Sequence, residues 1–392
     1  MTSLPTAPVP IVLAGARGHG RWHLANIRRL QHRGLVRLAG ICELRPLDAT
    51  ELAAFADEPP AQSDDFGALL DSTGARAAVV CTPIQTHTAL ALTAAARGVH
   101  LLLEKPPAAS RADFDRILAG VREAGTACQI GFQSFGSHAV PAIRDLVSGG
   151  AIGTVLGYGA AGAWARDDAY YRRAPWAGRR RIGETDVVDG VLTNPLAHAV
   201  ATALALAGDG TAHEVASIET ELFRANPIEA DDTSCLRITT TAGLPVTAAV
   251  TLCAEQAGEP YVIVHGDRGR VTFWYKQDRV LVQRAGHGPE ETVHGRTDLL
   301  ENLAAHLTGD TPLLVPPHRT GAFMEVVEAV RTAPEPRPLP DGAWHTAPGT
   351  APATTRRVVR GIDALVAAGA DTLTLFSELG APWALPTEVS SP

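Results

Sequence analysis

The stretch Val9-Pro10-Ile11-Val12-Leu13-Ala14-Gly15-Ala16-Arg17-Gly18-His19-Gly20 decides how this chain is read. A short apolar run enters a glycine-rich turn, after which Trp22, Leu24, Ile27 and Leu30 recur at helical spacing, so the order is strand, turn, helix. Glycines in such a turn let backbone amides approach a pyrophosphate at a helix N-terminus. Gly15, Arg17, Gly18, His19 and Gly20 are therefore the first candidate cofactor-binding residues. Arg17 stands where the G-x-G-x-x-G fingerprint has its middle glycine, and Gly18 follows one place later.

The alternation continues beyond the turn. Strands are expected over 36–42, 77–81, 99–103 and 127–132, and helices over 88–97 and 112–124. This βαβ order predicts an α/β Rossmann dinucleotide-binding domain over residues 1–133, a parallel sheet with helices on both faces. From about residue 151 longer strands take over, at 153–162, 214–223, 235–239, 246–253, 261–265 and 270–274. They read as one large, mostly antiparallel open sheet. With helices over 297–307 and 320–333, that makes an α+β domain of residues 134–333. Residues 332–355, rich in Pro, Ala and Thr, read as a linker. A terminal helix over 356–368 then carries Val358, Val359, Ile362, Leu365 and Val366, so residues 334–392 are expected to form an extension.

A chain of 392 residues exceeds what one core supports, which agrees with two domains. The net charge of −8 argues against attraction to nucleic acid or an anionic membrane and leaves small molecules as the expected partners. There is no run of 18 apolar residues and no basic-then-apolar leader pattern at the N-terminus, so neither a span nor export is expected. The five cysteines are scattered without a CxxC pair, as expected of reduced thiols in the cytoplasm. The open sheet would leave one broad face bare unless another subunit packs there, so a homodimer or homotetramer is expected.

Two residues stand out for their chemistry. The chain has 34 Lys plus Arg, and removing its two lysines, Lys105 and Lys276, leaves 32 arginines. Lys105 sits in Glu104-Lys105-Pro106 at the end of an expected strand, where open α/β sheets bind ligands. A compact ammonium there is a tunable donor that arginine is not. Glu43 ends the second strand, 23 residues after Gly20, placed to accept from the adenosine ribose hydroxyls. A free 2′-hydroxyl means NAD, while Arg45 nearby suits the 2′-phosphate of NADP; NAD is preferred.

Three further segments complete a pattern: Thr82-Pro83-Ile84-Gln85-Thr86-His87, Glu104-Lys105-Pro106, and Asp189-Gly190-Val191-Leu192-Thr193-Asn194-Pro195-Leu196-Ala197-His198. With the glycine turn and His23, they resemble the glucose-fructose oxidoreductase, inositol dehydrogenase and rhizopine-catabolism (Gfo/Idh/MocA) family, over residues 9–333. The resemblance implies an NAD(P)-dependent oxidoreductase in which Thr82, Pro83 and His87 border the nicotinamide side of the cofactor. It also implies that Lys105 reaches the substrate. Glu104 is expected to orient that lysine or bind cofactor, with an exposed strand-end carboxylate as the competing reading.

His198 follows Asn194 by four residues, so a helix over 193–206 would put both on one face. The family usually has aspartate at the position of Asn194. Asparagine cannot act as a base, which leaves His198 as the evident general base, with Asn194 positioning a hydroxyl and Lys105 stabilising an alkoxide. The expected substrate is a secondary alcohol of a sugar, cyclitol or related polyol. An NAD-dependent glycosidase with transient redox and a non-catalytic dinucleotide-sensing regulator are the alternatives. No HxH or HExxH spacing occurs, so no metal is expected. Residues 170–181 set five arginines among three aromatics, and Tyr171, Arg172 and Trp176 are the candidate substrate-binding residues; a solvated basic loop is the competing reading.

Overall fold

A computed structural model describes residues 7–55, 57–349 and 351–385; the first six and last seven residues of the expected domains lie outside it. In chain order the elements begin β1 (Val9–Ala14), α1 (Gly20–His32), β2 (Val36–Cys42), β3 (Ala61–Ser63), α2 (Phe66–Thr73), β4 (Ala77–Val80), α3 (His87–Ala95), β5 (His100–Leu103), α4 (Arg111–Ala124) and β6 (Cys128–Ile130). Next come α5 (Ala139–Ser148), β7 (Val155–Ala163), α6 (Asp168–Arg172), β8 (Arg181–Ile182), β9 (Thr185–Asp186) and α7 (Ala197–Ala207). Seven strands follow: β10 (Val215–Arg224), β11 (Thr233–Thr240), β12 (Pro245–Thr251), β13 (Tyr261–Gly266), β14 (Gly269–Trp274), β15 (Arg279–Arg284) and β16 (Glu290–Val293). The chain finishes with α8 (Leu299–Thr308), α9 (Gly321–Thr332), β17 (Arg337–Pro338), β18 (Trp344–Pro348), β19 (Thr355–Val359) and α10 (Ile362–Thr372).

The chain divides into two compact units. The first runs to Gly136 and takes in Thr297–His318; the second comprises Ser137–Arg296 and the chain from Arg319 on. In the first, six parallel strands lie in the order β3-β2-β1-β4-β5-β6, the doubly wound arrangement expected from the alternating sequence. Its central strands are apolar along their whole length because helices cover both faces; Ile11, Val12, Leu13, Val79 and Val80 are fully buried. Asp65 and Ser110 cap α2 and α4, each accepting from a backbone amide three residues on.

Helix α8 belongs to the first unit although it follows the large sheet in sequence. The buried Gln129 side chain explains the return. Its amide donates to Leu299 O and Asn302 Oδ1, at 3.0 and 2.7 Å, and accepts from Val315 N at 2.8 Å. A buried amide left unpaired would cost about 1–3 kcal/mol.

The second unit is built on nine strands in the order β16-β15-β14-β13-β7-β12-β11-β10-β17, antiparallel except where β7 meets β12 and β10 meets β17. Helices α7 and α9 pack on one side, and α7, apolar nearly all round, is buried accordingly. Three expectations change here. Where a linker was expected, β17 pairs with the sheet edge and β18 forms a hairpin with β19. The terminal helix starts at Ile362, because Arg356 to Val359 pair with β18 and Gly361, at φ +70°, turns the chain first. Finally, the face expected to await another subunit is covered by the chain's own α10, which packs on β7, β12 and β13.

Among the described residues, no helix is long and apolar enough to cross a membrane.

Candidate functional site

The glycine turn joins β1 to α1 at the carboxyl edge of the parallel sheet. A Cβ on Gly15 would stand 2.5 Å from Cys81 O, and one on Gly20 2.0 Å from Gly15 O; Gly18 has φ +59°. All three positions therefore need glycine, with the roles distributed differently from the fingerprint but to the same end: a closed turn opening a helix. A dinucleotide pyrophosphate fits such a helix start. Glu43 at the end of β2 is tied into this turn, with Oε1 accepting from Ala16 N at 2.6 Å and Arg17 N at 3.1 Å. The Arg17 side chain points away from the turn to Arg45 O, Pro46 O and Glu51 Oε2, at 2.7, 3.2 and 3.0 Å, and so braces the loop after β2.

At the end of β5, Glu104 is almost fully buried and carries a dense set of bonds. Oε1 accepts from Gln133 Nε2 at 2.9 Å and pairs with His23 Nε2 at 2.9 Å, while Oε2 accepts from Lys105 N at 3.1 Å. Gly131 lies against the carboxylate, where a Cβ would come within 2.8 Å. Burial works against ionisation of Glu104, but the neighbouring His19 and His23 outweigh it and hold the carboxyl well below the usual range. Lys105, joined to Pro106 by a cis peptide, thus follows a residue fixed on several sides.

His19, four residues before His23 on the same helix start, lies 3.7 Å from Glu104 Oε1 and stacks on Trp22. Where no metal cluster was expected, His19, His23 and Glu104 place three ligand atoms within 4.8 Å of one another. Local spacing could not show this, because Glu104 is 81 residues from His23. The same carboxylate oxygen already serves His23 and Gln133.

His87 is buried and bridges two loops, with Nε2 2.8 Å from Thr82 O and Nδ1 2.9 Å from Pro106 O. It fastens the Thr82-Pro83 turn to the segment after Lys105. Burial lowers its pKa, opposed by those two carbonyls. Thr82 Oγ1 is 2.6 Å from Thr86 Oγ1.

In the second unit, the segment carrying Asn194 is a series of turns, and α7 begins only at Ala197. The helix expected over 193–206 starts late because Pro195 lacks an amide hydrogen and disfavours helical dihedrals at Asn194. Asn194 and His198 therefore do not share a helical face. Asn194 Nδ2 instead donates to Asp189 Oδ1 at 2.6 Å. Asp189, with 4% of its side chain exposed, also accepts from Gly178 N at 2.7 Å and pairs with Arg173 at 3.4 Å. His198 stacks near Tyr275 at 6.3 Å between ring centroids. The buried Asp231 carboxylate supports the turns from below, accepting from Ser234 at 2.8 Å, and a Cβ on Gly190 would collide with it. Burial pushes Asp231 up to about 6.

The arginine and aromatic loop is anchored to the same turns. The Arg173 guanidinium lies 3.7 Å from the Tyr170 ring centroid and 4.6 Å from that of Trp176, so Trp176 already stacks on a cation of its own chain. Arg172 pairs with Asp168 at 2.7 Å and, with Tyr171, lines a cavity of about 800 Å³ whose far wall includes Trp344 and Arg357. Lys276 makes a surface pair with Glu259 at 3.2 Å.

Asp189 and Arg173 lie in stretches named above without a role of their own, and Gln133 and Asp231 are not among the residues the sequence points to. Asp189 stood inside a quoted motif, and its spacing from Asn194 was the available signal. For Gln133 and Asp231 there was none.

Comparison with known proteins agrees with this picture. The family model for the Gfo/Idh/MocA oxidoreductases with an NAD-binding Rossmann fold matches residues 9–132, and the model for a Gfo/Idh/MocA C-terminal domain matches residues 140–272. The uncharacterized oxidoreductase YrbE of Bacillus subtilis is 29% identical over 145 residues, 36% of this chain and 40% of that protein. The alignment thus spans well under two thirds of the relative's length. Among solved structures, the WlbA dehydrogenase of Bordetella pertussis in complex with NADH and UDP-GlcNAcA has a TM-score of 0.67 at 22% identity, over 82% of this chain and 95% of that one. The UDP-N-acetylglucosamine 3-dehydrogenase GnnA of Acidithiobacillus ferrooxidans has a TM-score of 0.65 at 17% identity, over 84% and 98%. These two likenesses concern the fold.

Proposed function

The chain belongs to the Gfo/Idh/MocA family of oxidoreductases with an NAD-binding Rossmann fold, and on that premise we propose that it oxidises or forms a secondary alcohol of a sugar or related polyol. Nucleotide-linked sugars fall within this class, since the WlbA neighbour was crystallised with UDP-GlcNAcA.

The observation that carries the reading is the Glu104 network. His23, Gln133 and the Lys105 amide converge on one buried carboxylate, and the residue they immobilise is the neighbour of Lys105. So much fixed polar structure at a strand end is what a positioned catalytic ammonium requires. The nicotinamide, when bound, supplies the hydride acceptor for the carbinol carbon. Lys105 donates a charge-assisted hydrogen bond to the alkoxide oxygen as it forms. His198 takes the hydroxyl proton, and Asn194, its amide nitrogen engaged by Asp189, turns its carbonyl oxygen to the hydroxyl. Glu43, set by the turn amides, serves the adenosine ribose, which favours NAD over NADP. The five cysteines are free thiols, in keeping with a reducing compartment such as the cytoplasm.

The test is NAD binding by calorimetry, followed by absorbance at the NADH band with a panel of sugars, cyclitols and nucleotide sugars. NAD binding together with NADH formation from at least one panel member is expected. Absence of NAD binding would sink the proposal.

A further inference from the structure

We propose that the cavity of about 800 Å³ in the second unit is an accessory binding site for a small hydroxylated organic anion, a sugar phosphate or a sugar acid. Its volume is that of a small-molecule site, and neither Asn194 nor His198 lines it.

Four stretches far apart in sequence form the walls, and each is fastened to another. Gly178 O accepts from Glu229 N and Ala230 N, both at 2.9 Å, and a Cβ on Gly178 would stand 2.9 Å from Ile228 Cγ2. Arg224 Nη1 donates to Ile228 O at 2.7 Å and so closes the turn after β10. From the C-terminal extension, Leu339 N donates to Arg224 O at 2.9 Å, and the Arg357 guanidinium donates to Ala225 O. Thr355 N donates to Asp168 Oδ1 at 3.3 Å, which ties β19 to the start of α6. The hollow is therefore shaped before any ligand arrives, and little ordering is left for binding to cost.

The lining combines three kinds of group. Asn226, 8% exposed, has its amide held at one end: Nδ2 donates to Asp232 Oδ2 at 2.9 Å, and its backbone N donates to the same oxygen at 2.7 Å. The buried carboxylate thus fixes which end of the amide is nitrogen. Asn226 Oδ1 has no partner among the described residues, which leaves a buried acceptor suited to a hydroxyl. Arg172 and Arg179 stand at the rim. Each bonds one carboxylate through Nη1, that of Asp168 at 2.7 Å and that of Glu229 at 2.5 Å, and each has other N–H groups to give. With Arg224 and Arg357 they set four guanidinium groups against the three carboxylates of Asp168, Glu229 and Asp341, so the lining is net positive in a chain of net charge −8. Guanidinium forks fit phosphate and carboxylate alike. Pro175, Pro227, Ile228, Leu339 and the Trp344 ring supply apolar surface for a carbon skeleton. A neutral sugar would leave the arginines unanswered. Inorganic phosphate would leave Asn226 and the apolar wall unfilled.

Calorimetry on the full chain without NAD tests the inference, with glucose 6-phosphate and glucuronate as probes and glucose and inorganic phosphate as controls. At least one probe is expected to bind roughly tenfold or more tightly than either control, and the better probe tells a phosphate-bearing from a carboxylate-bearing ligand. Amide exchange over residues 224–229 and 338–344 should slow on binding. Arg179→Glu, a change at an exposed side chain, should weaken binding roughly tenfold or more by setting like charges together. Binding by neither probe, equal binding of glucose, or unaltered binding by the variant would overturn the inference, as would exchange that slows over residues 189–198 in place of the cavity walls. Should the variant fold poorly, the exchange map of the unmodified chain decides. Because NAD is left out, failure here is distinct from failure of the oxidoreductase reading.

Discussion

Asn194 and Asp189 are joined by a 2.6 Å hydrogen bond in which the amide nitrogen donates to a nearly buried carboxylate. An ionised carboxylate can only accept, so Asp189 fixes which way the Asn194 amide faces, with one N–H of its nitrogen turned to Asp189. The Asp189 carboxylate lies five residues before Asn194. It stands one bond further from the proposed chemistry, acting through an amide.

Replacing Asp189 by Asn removes that constraint, since the new side chain can both donate and accept. We expect kcat to fall about tenfold, the equivalent of ~1.4 kcal/mol, with NAD affinity unchanged. Steady-state kinetics alongside NAD calorimetry check this. A parallel loss of NAD binding would instead mean that Asp189 serves only the fold.

The Glu104 network should be among the strongest tertiary links in the first unit. His23→Ala leaves a buried carboxylate short of a partner and is expected to lower stability by roughly 3 kcal/mol in urea unfolding at neutral pH. Because the Glu104 pKa is depressed in the fold, its contribution is present above the ordinary carboxyl range and is lost as pH falls through the folded value. The gap between parent and variant should therefore narrow in acid. A gap of constant size from neutral to acid pH would contradict this.

Asp231 carries the opposite sign. Burial raises it from 3.8 to about 6, so the protonated form is the one the fold tolerates. Stability from this group is intact below the unfolded value and declines as pH rises through about 6, by on the order of 3 kcal/mol in all. Asp231→Asn should flatten that limb, visible as a smaller fall in melting temperature between pH 4 and pH 8 than in the parent.

Trp176 is tied to Arg173, and Arg173 to Asp189, which links the aromatic loop to the Asn194 turn. Trp176→Ala should cost little stability, under about 1 kcal/mol for a lost cation–π contact. The apparent KM should rise as the loop loosens. Unchanged KM values across the substrate panel would remove the loop from the account.

Much of the first unit was legible because a parallel sheet buried on both sides writes itself as apolar runs separated by helical periodicity, as residues 9–30 show. The glycine turn was legible too, though the departure at Arg17 turned out to be compensated: Gly18 supplies the positive φ, while Gly15 and Gly20 supply the close approach. The second site was less so. Pro195 was in plain view and should have delayed the helix, but the i to i+4 spacing of Asn194 and His198 concealed its effect. The C-terminal extension misled through composition: proline and threonine suit an edge strand and a hairpin as well as a linker. Long-range partners such as Gln129 with Leu299, or His23 with Glu104, leave no local periodicity at all.

The central claim is that the ammonium of Lys105 does electrostatic work that a guanidinium cannot, in a chain that uses arginine at nearly every other cationic position. Lys105→Arg, assayed for NADH formation with the best substrate of the panel and for NAD affinity by calorimetry, addresses it most directly. The account predicts a turnover loss of roughly a hundredfold or more, typical of losing one alkoxide-stabilising donor, with NAD affinity retained. Turnover within a few-fold of the parent would contradict it.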